Sequence, residues 1–330
     1  MATMQQVAKK AKVSIATVSR ILNNDRTLNV REETRALVFQ VAKEIGYELK
    51  PKKSINNFRI GIVQWIPSYE EIHDIYYQAI RMSIDTYCIV NDIRVKKYFK
   101  ENLEDIFLDT TLNGVICIGK FSTSLAEKIH LHHKNVIFVD SNPDSSKYDA
   151  VVSDLKDGTR QAMDYFVSKN HKHIGYIGGR EVLETKSGKQ FIDPREKEYL
   201  NYMIEHHLEN DQAFYLGEFT AEFGYSAMLE LLKLNVIPTA VLCGNDSIAV
   251  GALRALNETN NAGLISIIGF NDVPDAKFYS PPLTTVNIDT RSMGEIACAM
   301  LLSKFSLKNG TNVRVMCSVN LVIRDSVYQI

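Results

Sequence analysis

Two groups of residues in this 330-residue sequence have types and spacing that could do chemistry, and the first lies close to the start of the chain. If the segment VSIATVSRIL is helical, Ile15, Val18 and Leu22 share one apolar sector, because successive residues advance by about 100°. A separate sector holds small and polar side chains: Ala16, Ser19, Arg20 and Asn23. An arginine there can donate two parallel hydrogen bonds to O6 and N7 of guanine. The pattern predicts a helix that can enter the major groove of DNA.

The contacts to bases and phosphates are predicted to come from this helix and its leading turn. They are Ser14, Ile15, Ala16, Thr17, Ser19, Arg20 and Asn23. Ile15 can touch a thymine methyl group, and Asn23 can bind phosphate or adenine. The alternative is a three-helix oligomerisation cap whose polar face is merely solvated.

The second group consists of polar and aromatic residues that follow apolar, strand-like runs. Asp140, Asn245 and Asn271 each stand at the end of such a run, and Arg195 and Phe219 follow two other regions of this kind. In doubly wound sheets, ligands bind beyond the carboxyl ends of the strands. Carboxylate, amide and guanidinium groups bind paired hydroxyls, and an aromatic ring packs against C–H groups. The combination favours a monosaccharide site, although turn formation or capping is an alternative role for each residue.

Three short helices would position the first group. The pattern from Thr3 to Gln6 is a capping box for the first helix, and Ser14 is a good N-cap for the second, which we expect to end near Asn23. A second capping box from Asn29 to Glu32 predicts a third helix that ends at Gly46.

Short apolar runs alternate with amphipathic stretches after residue 58. The runs are 59–65, 114–120, 135–141, 173–179, 240–245 and 265–272, and the stretches are 75–90, 155–169, 222–234 and 246–257. Continuous apolar runs are typical of strands buried on both faces, and their alternation with helices predicts parallel sheets. We therefore expect an α/β fold with two doubly wound lobes. The segment KPKKSINN has no periodicity and predicts a linker over residues 48–58.

Charge and cysteine usage narrow the class of protein. Residues 1–59 carry a net charge of +7, whereas the whole chain carries −1, which indicates a basic segment suited to a phosphate backbone. Five scattered cysteines without a CxxC pair predict core residues in a reducing compartment. Since neither a signal sequence nor a membrane-length apolar run is present, we expect a cytoplasmic protein. The residues predict neither a cofactor or metal site nor a nucleophilic catalytic set.

Longer stretches of the sequence resemble one family of regulators. MQQVAKKAKVSIATVSRILN followed by EETRALVFQVAKEIGY resembles the helix-turn-helix headpiece of the LacI–GalR repressors. HIGYIGG, VLCGNDSIAVGALRAL, IIGFNDVPDAKFYSPPLTTVNID and NLVIRDS resemble the sugar-sensing core of that family, in order. LNNDRTLNVREETR and HDIYYQAIR are most similar to its evolved β-galactosidase repressor subgroup.

The resemblance implies a domain organisation and a set of effector contacts. It implies a helix-turn-helix headpiece at 1–47, a linker at 48–58 and a two-lobed, periplasmic-binding-protein-like core at 59–330. The N-lobe would comprise about 59–155 and 287–317, and the C-lobe about 156–286 and 318–330. The effector contacts would be Asp74, Tyr76, Asp140, Arg195, Phe219, Asn245 and Asn271.

The resemblance also implies a function. We expect a homodimeric repressor of a sugar-utilisation operon that binds a palindromic double-stranded DNA operator and is controlled by a small sugar such as a galactoside. Core surfaces including residues 248–254 and 278–283 would form the dimer. A regulator that senses a purine or a phosphorylated metabolite is one alternative, and a sugar-modifying enzyme fused to a DNA-binding segment is another.

The sequence departs from the family pattern at two places. Lys12 stands where the family has glycine, so positive φ there would strain the backbone. After Tyr47, the usual hinge helix is replaced by a shorter segment with a proline. We predict instead that Lys50, Lys52 and Lys53 bind phosphate from an extended tether.

Overall fold

A computed structural model of the chain describes residues 3–22, 28, 30–47, 58–182, 190–208, 213–306 and 311–330. The chain divides into two compact units, Met1–Asn57 and Phe58–Ile330. Each unit has its own hydrophobic core.

The first unit contains three helices, α1 (Met4–Ala11), α2 (Ile15–Leu22) and α3 (Glu32–Glu44). The predicted capping box at Thr3 is confirmed: the Gln6 N–H donates to Thr3 Oγ1, and the Thr3 N–H donates to Gln6 Oε1. Ser14 caps α2, since its Oγ accepts from the Thr17 N–H at 3.0 Å. Lys12 has a φ of 53°, so the left-handed conformation expected in the turn is present.

The predicted start of the third helix is wrong. Helix α3 begins at Glu32, with the extended Arg31 in the N-cap position and no side-chain cap hydrogen bond. Asn29 itself lies outside the described residues. The carboxylates of Glu32 and Glu33 occupy the first turn, where they interact favourably with the helix dipole. The predicted end is confirmed, because Gly46 has a φ of 65° and the Tyr47 N–H donates to the Ala42 carbonyl at 2.8 Å.

The second unit alternates strands and helices. Its elements are β1 (Arg59–Gln64), α4 (Ser68–Glu71), α5 (Ile75–Val90), β2 (Arg94–Tyr98), α6 (Asp105–Leu108), β3 (Gly114–Ile118), α7 (Thr123–His132), β4 (Val136–Val139), β5 (Asp149–Ser153), α8 (Leu155–Ser168), β6 (Ile174–Gly179), β7 (Glu181–Val182), β8 (Gln190–Phe191), α9 (Pro194–Glu205), β9 (Phe214–Gly217), α10 (Ala221–Leu231), β10 (Ala240–Cys243), α11 (Asp246–Glu258), β11 (Ser266–Asn271), β12 (Thr284–Asn287), α12 (Thr290–Ser306), β13 (Arg314–Cys317) and β14 (Asn320–Val322). Two 3₁₀ turns cover Lys100–Asn102 and Ala276–Phe278.

These strands form two six-stranded sheets and one small ladder. The first sheet has the order β13-β5-β4-β3-β1-β2 and is parallel throughout. The second has the order β14-β12-β11-β10-β6-β9 and is parallel except for β14. Strands β7 and β8 pair antiparallel. The chain passes from the first sheet to the second after β5, returns after β12 to place α12 on the first sheet, and crosses again between β13 and β14.

The alternation predicted from the sequence is confirmed. Each of the six apolar runs contains a strand, and the four amphipathic stretches correspond to α5, α8, α10 and α11. The strand residues of β3, β4 and β10 are buried throughout, which explains their continuous apolar sequence. None of the helices in the described part of the chain has the length and apolar character needed to cross a bilayer.

The expected dimer surfaces are partly covered within this chain. Ile248 and Leu283 are fully buried in the core of the second unit, whereas Phe278 and the side chain of Arg254 are exposed. Side chains at the buried positions cannot contact a second copy directly.

Helices α10 and α11 approach each other closely through two glycines. A Cβ atom on Gly224 would lie 2.1 Å from the Ile248 carbonyl oxygen, and one on Gly251 would lie 1.9 Å from the Ala221 carbonyl oxygen. Because the obstructing atoms belong to backbone, a methyl group at either position requires the helices to move apart.

Replacing Gly224 by alanine should lower the free energy of unfolding of the second unit by about 1–3 kcal/mol, since the new methyl group overpacks the helix pair. Urea unfolding followed by far-ultraviolet circular dichroism measures the change. Ser226→Ala, at an exposed position of the same helix, is the control and should alter stability by less than about 0.5 kcal/mol. Equal urea midpoints for Gly224→Ala and Ser226→Ala would contradict the close approach of α10 and α11.

Candidate functional site

The exposed face of α2 carries most of the residues predicted to contact DNA. Ser14, Ile15, Ala16 and Arg20 are exposed, and Thr17 and Ser19 are half-buried. Asn23, Lys50, Lys52 and Lys53 lie outside the described residues.

The opposite face of α2 packs into the core of the first unit through Val18, Ile21 and Leu22. Ile21 therefore takes the packing role that the helical spacing assigned to Ile15. With 45% of its surface exposed, Ile15 is accessible to a thymine methyl group.

All seven predicted effector residues line one cavity of about 430 Å³ in the second unit. They are Asp74, Tyr76, Asp140, Arg195, Phe219, Asn245 and Asn271, and they are joined by Tyr77, Lys120, Leu155, Glu181 and Ile288. Asp140 follows β4, Asn245 follows β10 and Asn271 ends β11, so the carboxyl ends of strands from both sheets meet here.

Asp140 is the central acceptor on the side of the first sheet. Its carboxylate accepts hydrogen bonds from the Tyr76 hydroxyl at 2.7 Å and the Tyr77 hydroxyl at 3.0 Å, and it forms an ion pair with Lys120. Burial, reinforced by the charge of Asp140, raises the pKa of both tyrosines well above the ordinary value. The two hydroxyls therefore remain protonated donors at neutral pH.

Arg195 occupies the side of the second sheet. Its Nε and Nη2 donate to the two carboxylate oxygens of Asp193 at 2.8 and 2.6 Å, and Nη1 donates to the Gly244 carbonyl. One N–H on each terminal nitrogen is left for a ligand. The guanidinium also lies 5.0 Å from the Phe219 ring centroid. Although burial raises the pKa of Asp193, the Arg195 charge outweighs it and holds that pKa below the ordinary value.

The remaining polar residues differ in how much of their capacity the protein itself uses. Asn245 caps α11 by accepting from the Ile248 N–H at 2.8 Å and donates to the Phe219 carbonyl. Asp74 caps α5, and burial raises its pKa. Asn271, with a φ of 105°, has an amide without a hydrogen-bond partner among the described residues. Capping is thus a real role for Asn245 and Asp74, while Asn271 is available to a ligand.

Sequence reasoning missed three polar residues of the cavity. Lys120 follows β3 as Asp140 follows β4, so the same rule could have found it. Tyr77 is adjacent to the predicted Tyr76. Glu181 lies two residues after the end of β6, as Lys120 does after β3, so the same rule could have found it too.

Two nearby aspartates have structural roles. Asp272 forms an ion pair with Arg324 at 2.7 Å. Asp246 is fully buried and accepts from Thr285 Oγ1 and from the Val273 N–H. Burial raises the pKa of Asp246 to about 7.

The three histidines of HLHH have separate environments. His132 contacts the Lys128 carbonyl, His133 contacts the Ile106 carbonyl, and the His130 ring lies against Tyr148. In the ranges that the structure describes, no group of three or more histidine, cysteine, aspartate or glutamate side chains is placed to hold a metal ion.

Comparison with known proteins agrees with this architecture. Residues 3–49 match the model of bacterial regulatory proteins of the lacI family, and residues 163–327 match a periplasmic binding protein-like domain. The HTH-type transcriptional regulator GalR of Streptococcus thermophilus is 34% identical over 335 residues, covering 99% of each chain. GanR of Bacillus subtilis is 32% identical over 99% of this chain and 100% of its own.

The fold is also found among solved structures. A lac repressor dimer bound to operator and an anti-inducer matches with a TM-score of 0.71 at 23% identity, covering 99% of both chains. The resemblance inferred from the sequence motifs is thereby confirmed along the whole chain. With a family model on its first unit and full-length relatives above 30% identity, the chain belongs to the lacI family of bacterial regulatory proteins and is a DNA-binding transcriptional regulator.

Proposed function

We propose that this regulator represses a sugar-utilisation operon and that a small neutral sugar, such as a galactoside, controls it by binding in the cavity of the second unit. The observation that carries this proposal is the pairing of charge in the cavity. Lys120 is paired with Asp140 and Arg195 with Asp193, so neither cation is left for an anionic ligand. The cavity still offers hydrogen-bond donors and acceptors for the hydroxyl groups of a sugar and the Phe219 ring for its C–H groups.

A phosphorylated metabolite or a nucleotide-like ligand fits this cavity less well. Its negative charge would lie among the carboxylates of Asp74, Asp140 and Glu181, where desolvated like charges repel. At the N-termini of α5 and α11, the side chains of Asp74 and Asn245 already accept from the Tyr77 and Ile248 N–H groups, which leaves fewer N–H groups for a phosphate. The galactoside is favoured over other sugars by the resemblance of residues 22–35 and 73–81 to the β-galactosidase repressor subgroup.

The full-length relatives are transcriptional regulators, which favours regulation without enzymatic turnover. The proposed domains are a headpiece at 1–47, a linker at 48–58 and a core at 59–330 with the two lobes set out above. A protein that acts on bacterial operators is expected in the cytoplasm.

The headpiece is proposed to insert α2 into the major groove with Arg20 reading guanine. One such helix contacts too few base pairs for a unique site, so a homodimer would place two of them about one helical turn apart on a palindrome. Ser14, Ile15, Ala16, Thr17, Ser19 and Asn23 would supply the neighbouring contacts. Lys50, Lys52 and Lys53 would bind phosphate without reading sequence.

Arg20→Ala should weaken binding to the specific operator by about 1–3 kcal/mol and relax the preference at one base pair of each half-site, because the bidentate contact to guanine is lost. Gel-shift titration against operators substituted at single positions measures both effects. Lys52→Ala is the control. It should weaken binding to all DNA sequences equally, and the number of counterions released on binding should fall by about one. A uniform loss in Arg20→Ala would instead make Arg20 a phosphate contact.

A panel of ligands tests the sugar proposal directly. Methyl β-galactoside should raise the melting temperature of the protein, because it binds the folded state. It should also change the fluorescence, because the single tryptophan, Trp65, has its ring centroid 5.9 Å from that of Tyr77 at the cavity. Asn271→Ala should weaken the response without unfolding the protein, since that amide has no partner among the described residues. A response to purines or sugar phosphates in place of neutral sugars would contradict the proposal.

A further inference from the structure

Glu181 is the cavity residue whose chemistry the contacts within the protein leave incomplete. It is the first residue of β7, directly after the strand β6 of the second sheet and Arg180, and Phe191 of β8 is its partner in the ladder. From there its side chain reaches α5, where Glu181 Oε1 lies 3.4 Å from the hydroxyl oxygen of Tyr77, whose single proton is donated to the nearer Asp140 Oδ2. The carboxylate therefore lies between the residues contributed by the two sheets.

The second carboxylate oxygen has no donor. Glu181 Oε2 is buried and lacks a hydrogen-bond partner among the described residues, although the residue lines the cavity. A buried acceptor without a donor costs free energy until a donor is supplied. Since the Tyr77 proton is donated to Asp140 and not to Oε1, the carboxylate has unused accepting capacity on both oxygens.

We propose that Glu181 is a specificity-determining residue of the cavity, whose Oε2 accepts a hydrogen bond from a hydroxyl group of a neutral sugar and thereby selects such ligands over their anionic analogues. This inference rests on the proposed sugar-binding function of the same cavity. It assigns to β7 a recognition role that the seven residues predicted from the sequence do not include.

The charges around Glu181 determine how this contact responds to pH. Burial is the largest of the causes that together raise the pKa of Glu181 to about 7; the charges of Lys120 and Arg195 oppose the rise, and those of Asp140 and Asp193 reinforce it. A hydroxyl donor stabilises the ionised carboxylate, so a bound sugar lowers this pKa. Binding then releases a proton near pH 7.

Three ionisable groups near Glu181, those of Tyr77, Lys120 and Asp193, do not exchange a proton near neutral pH. The pKa of Tyr77 is raised well above its ordinary value and that of Lys120 is also raised, so both remain protonated. The Arg195 charge holds the pKa of Asp193 below its ordinary value. Asp74, the N-cap residue of α5, is another cavity carboxyl whose pKa burial raises, so it could also release a proton on binding. A substitution at Glu181 separates the contribution of Glu181 from that of Asp74.

The test compares the wild-type protein with Glu181→Gln, using methyl β-galactoside, galacturonate and galactose 6-phosphate as probes in isothermal titration calorimetry. For the wild type, affinity for methyl β-galactoside should rise roughly tenfold between pH 6 and 8, as the ionised fraction of a group with a pKa near 7 increases. Buffers of different ionisation enthalpy should reveal proton release at pH 7. Glu181→Gln should bind this sugar roughly tenfold more weakly at pH 8 and without proton release.

Glu218→Gln is the matched control, because Glu218 is exposed and does not line the cavity. It should leave affinity and proton release as in the wild type. The proton-release measurement on the wild type needs no variant, so the absence of proton release there would overturn the inference even if Glu181→Gln folds poorly.

Two results would overturn the inference while leaving the proposed function intact. One is that Glu181→Gln binds methyl β-galactoside with the same affinity and the same proton release as the wild type. The other is a wild-type affinity that falls as pH rises, which would make protonated Glu181 a donor to the ligand. Binding of galacturonate or galactose 6-phosphate in preference to methyl β-galactoside would instead contradict the proposed neutral-sugar function together with this inference.

Discussion

The buried carboxylate of Asp140 is the group on which the first-sheet side of the cavity depends. It stands at the end of β4 and receives the ammonium of Lys120, from the segment after β3, and the hydroxyls of Tyr76 and Tyr77 from the first turn of α5. A buried charge is tolerated only when it is paired and hydrogen-bonded, so these partners must converge on it. The start of α5 is thereby fixed against the ends of two strands. Removal of the carboxylate would take the ion-pair partner Asp140 from a buried ammonium, which is far more costly than the loss of one neutral hydrogen bond.

The second sheet repeats the arrangement with the charges exchanged. Arg195 is held between Asp193 and the Gly244 carbonyl, with Phe219 against its face. The charges of Lys120 and Arg195 are therefore paired before any ligand enters, and the proposed ligand would be recognised by the positions of donors and acceptors. This arrangement favours hydroxyl-rich molecules, because each of their hydroxyls can both donate and accept.

Much of this cavity could be predicted from the sequence because parallel strands direct their carboxyl ends to one edge. Asp140, Asn245 and Asn271 follow from that rule, and Lys120 would have followed had it been applied after β3. Glu181 follows the end of β6 in the same way, whereas Tyr77 could not be found by this rule, since it lies in α5 and reaches Asp140 through tertiary packing. The start of α3 was mispredicted for a related reason: a capping pattern at Asn29 is a local signal, and the extended backbone of Arg31 delays the helix to Glu32.

Control by a ligand requires that it bind two arrangements of the core with different affinity. Changing a 1:99 population to 99:1 needs about 5.5 kcal/mol of difference, and a hydrogen bond to a charged group contributes about 1.5–3 kcal/mol. Two to four contacts made in one arrangement alone would therefore be enough. Groups with free capacity lie on the side of the second sheet, in Arg195 and Asn271, while the donors of Tyr76 and Tyr77 on the other side are already bound to Asp140. Glu181 Oε1 lies 3.4 Å from the Tyr77 hydroxyl oxygen, so a sugar hydroxyl on Oε2 would add a contact at the point where the two sheets' residues meet.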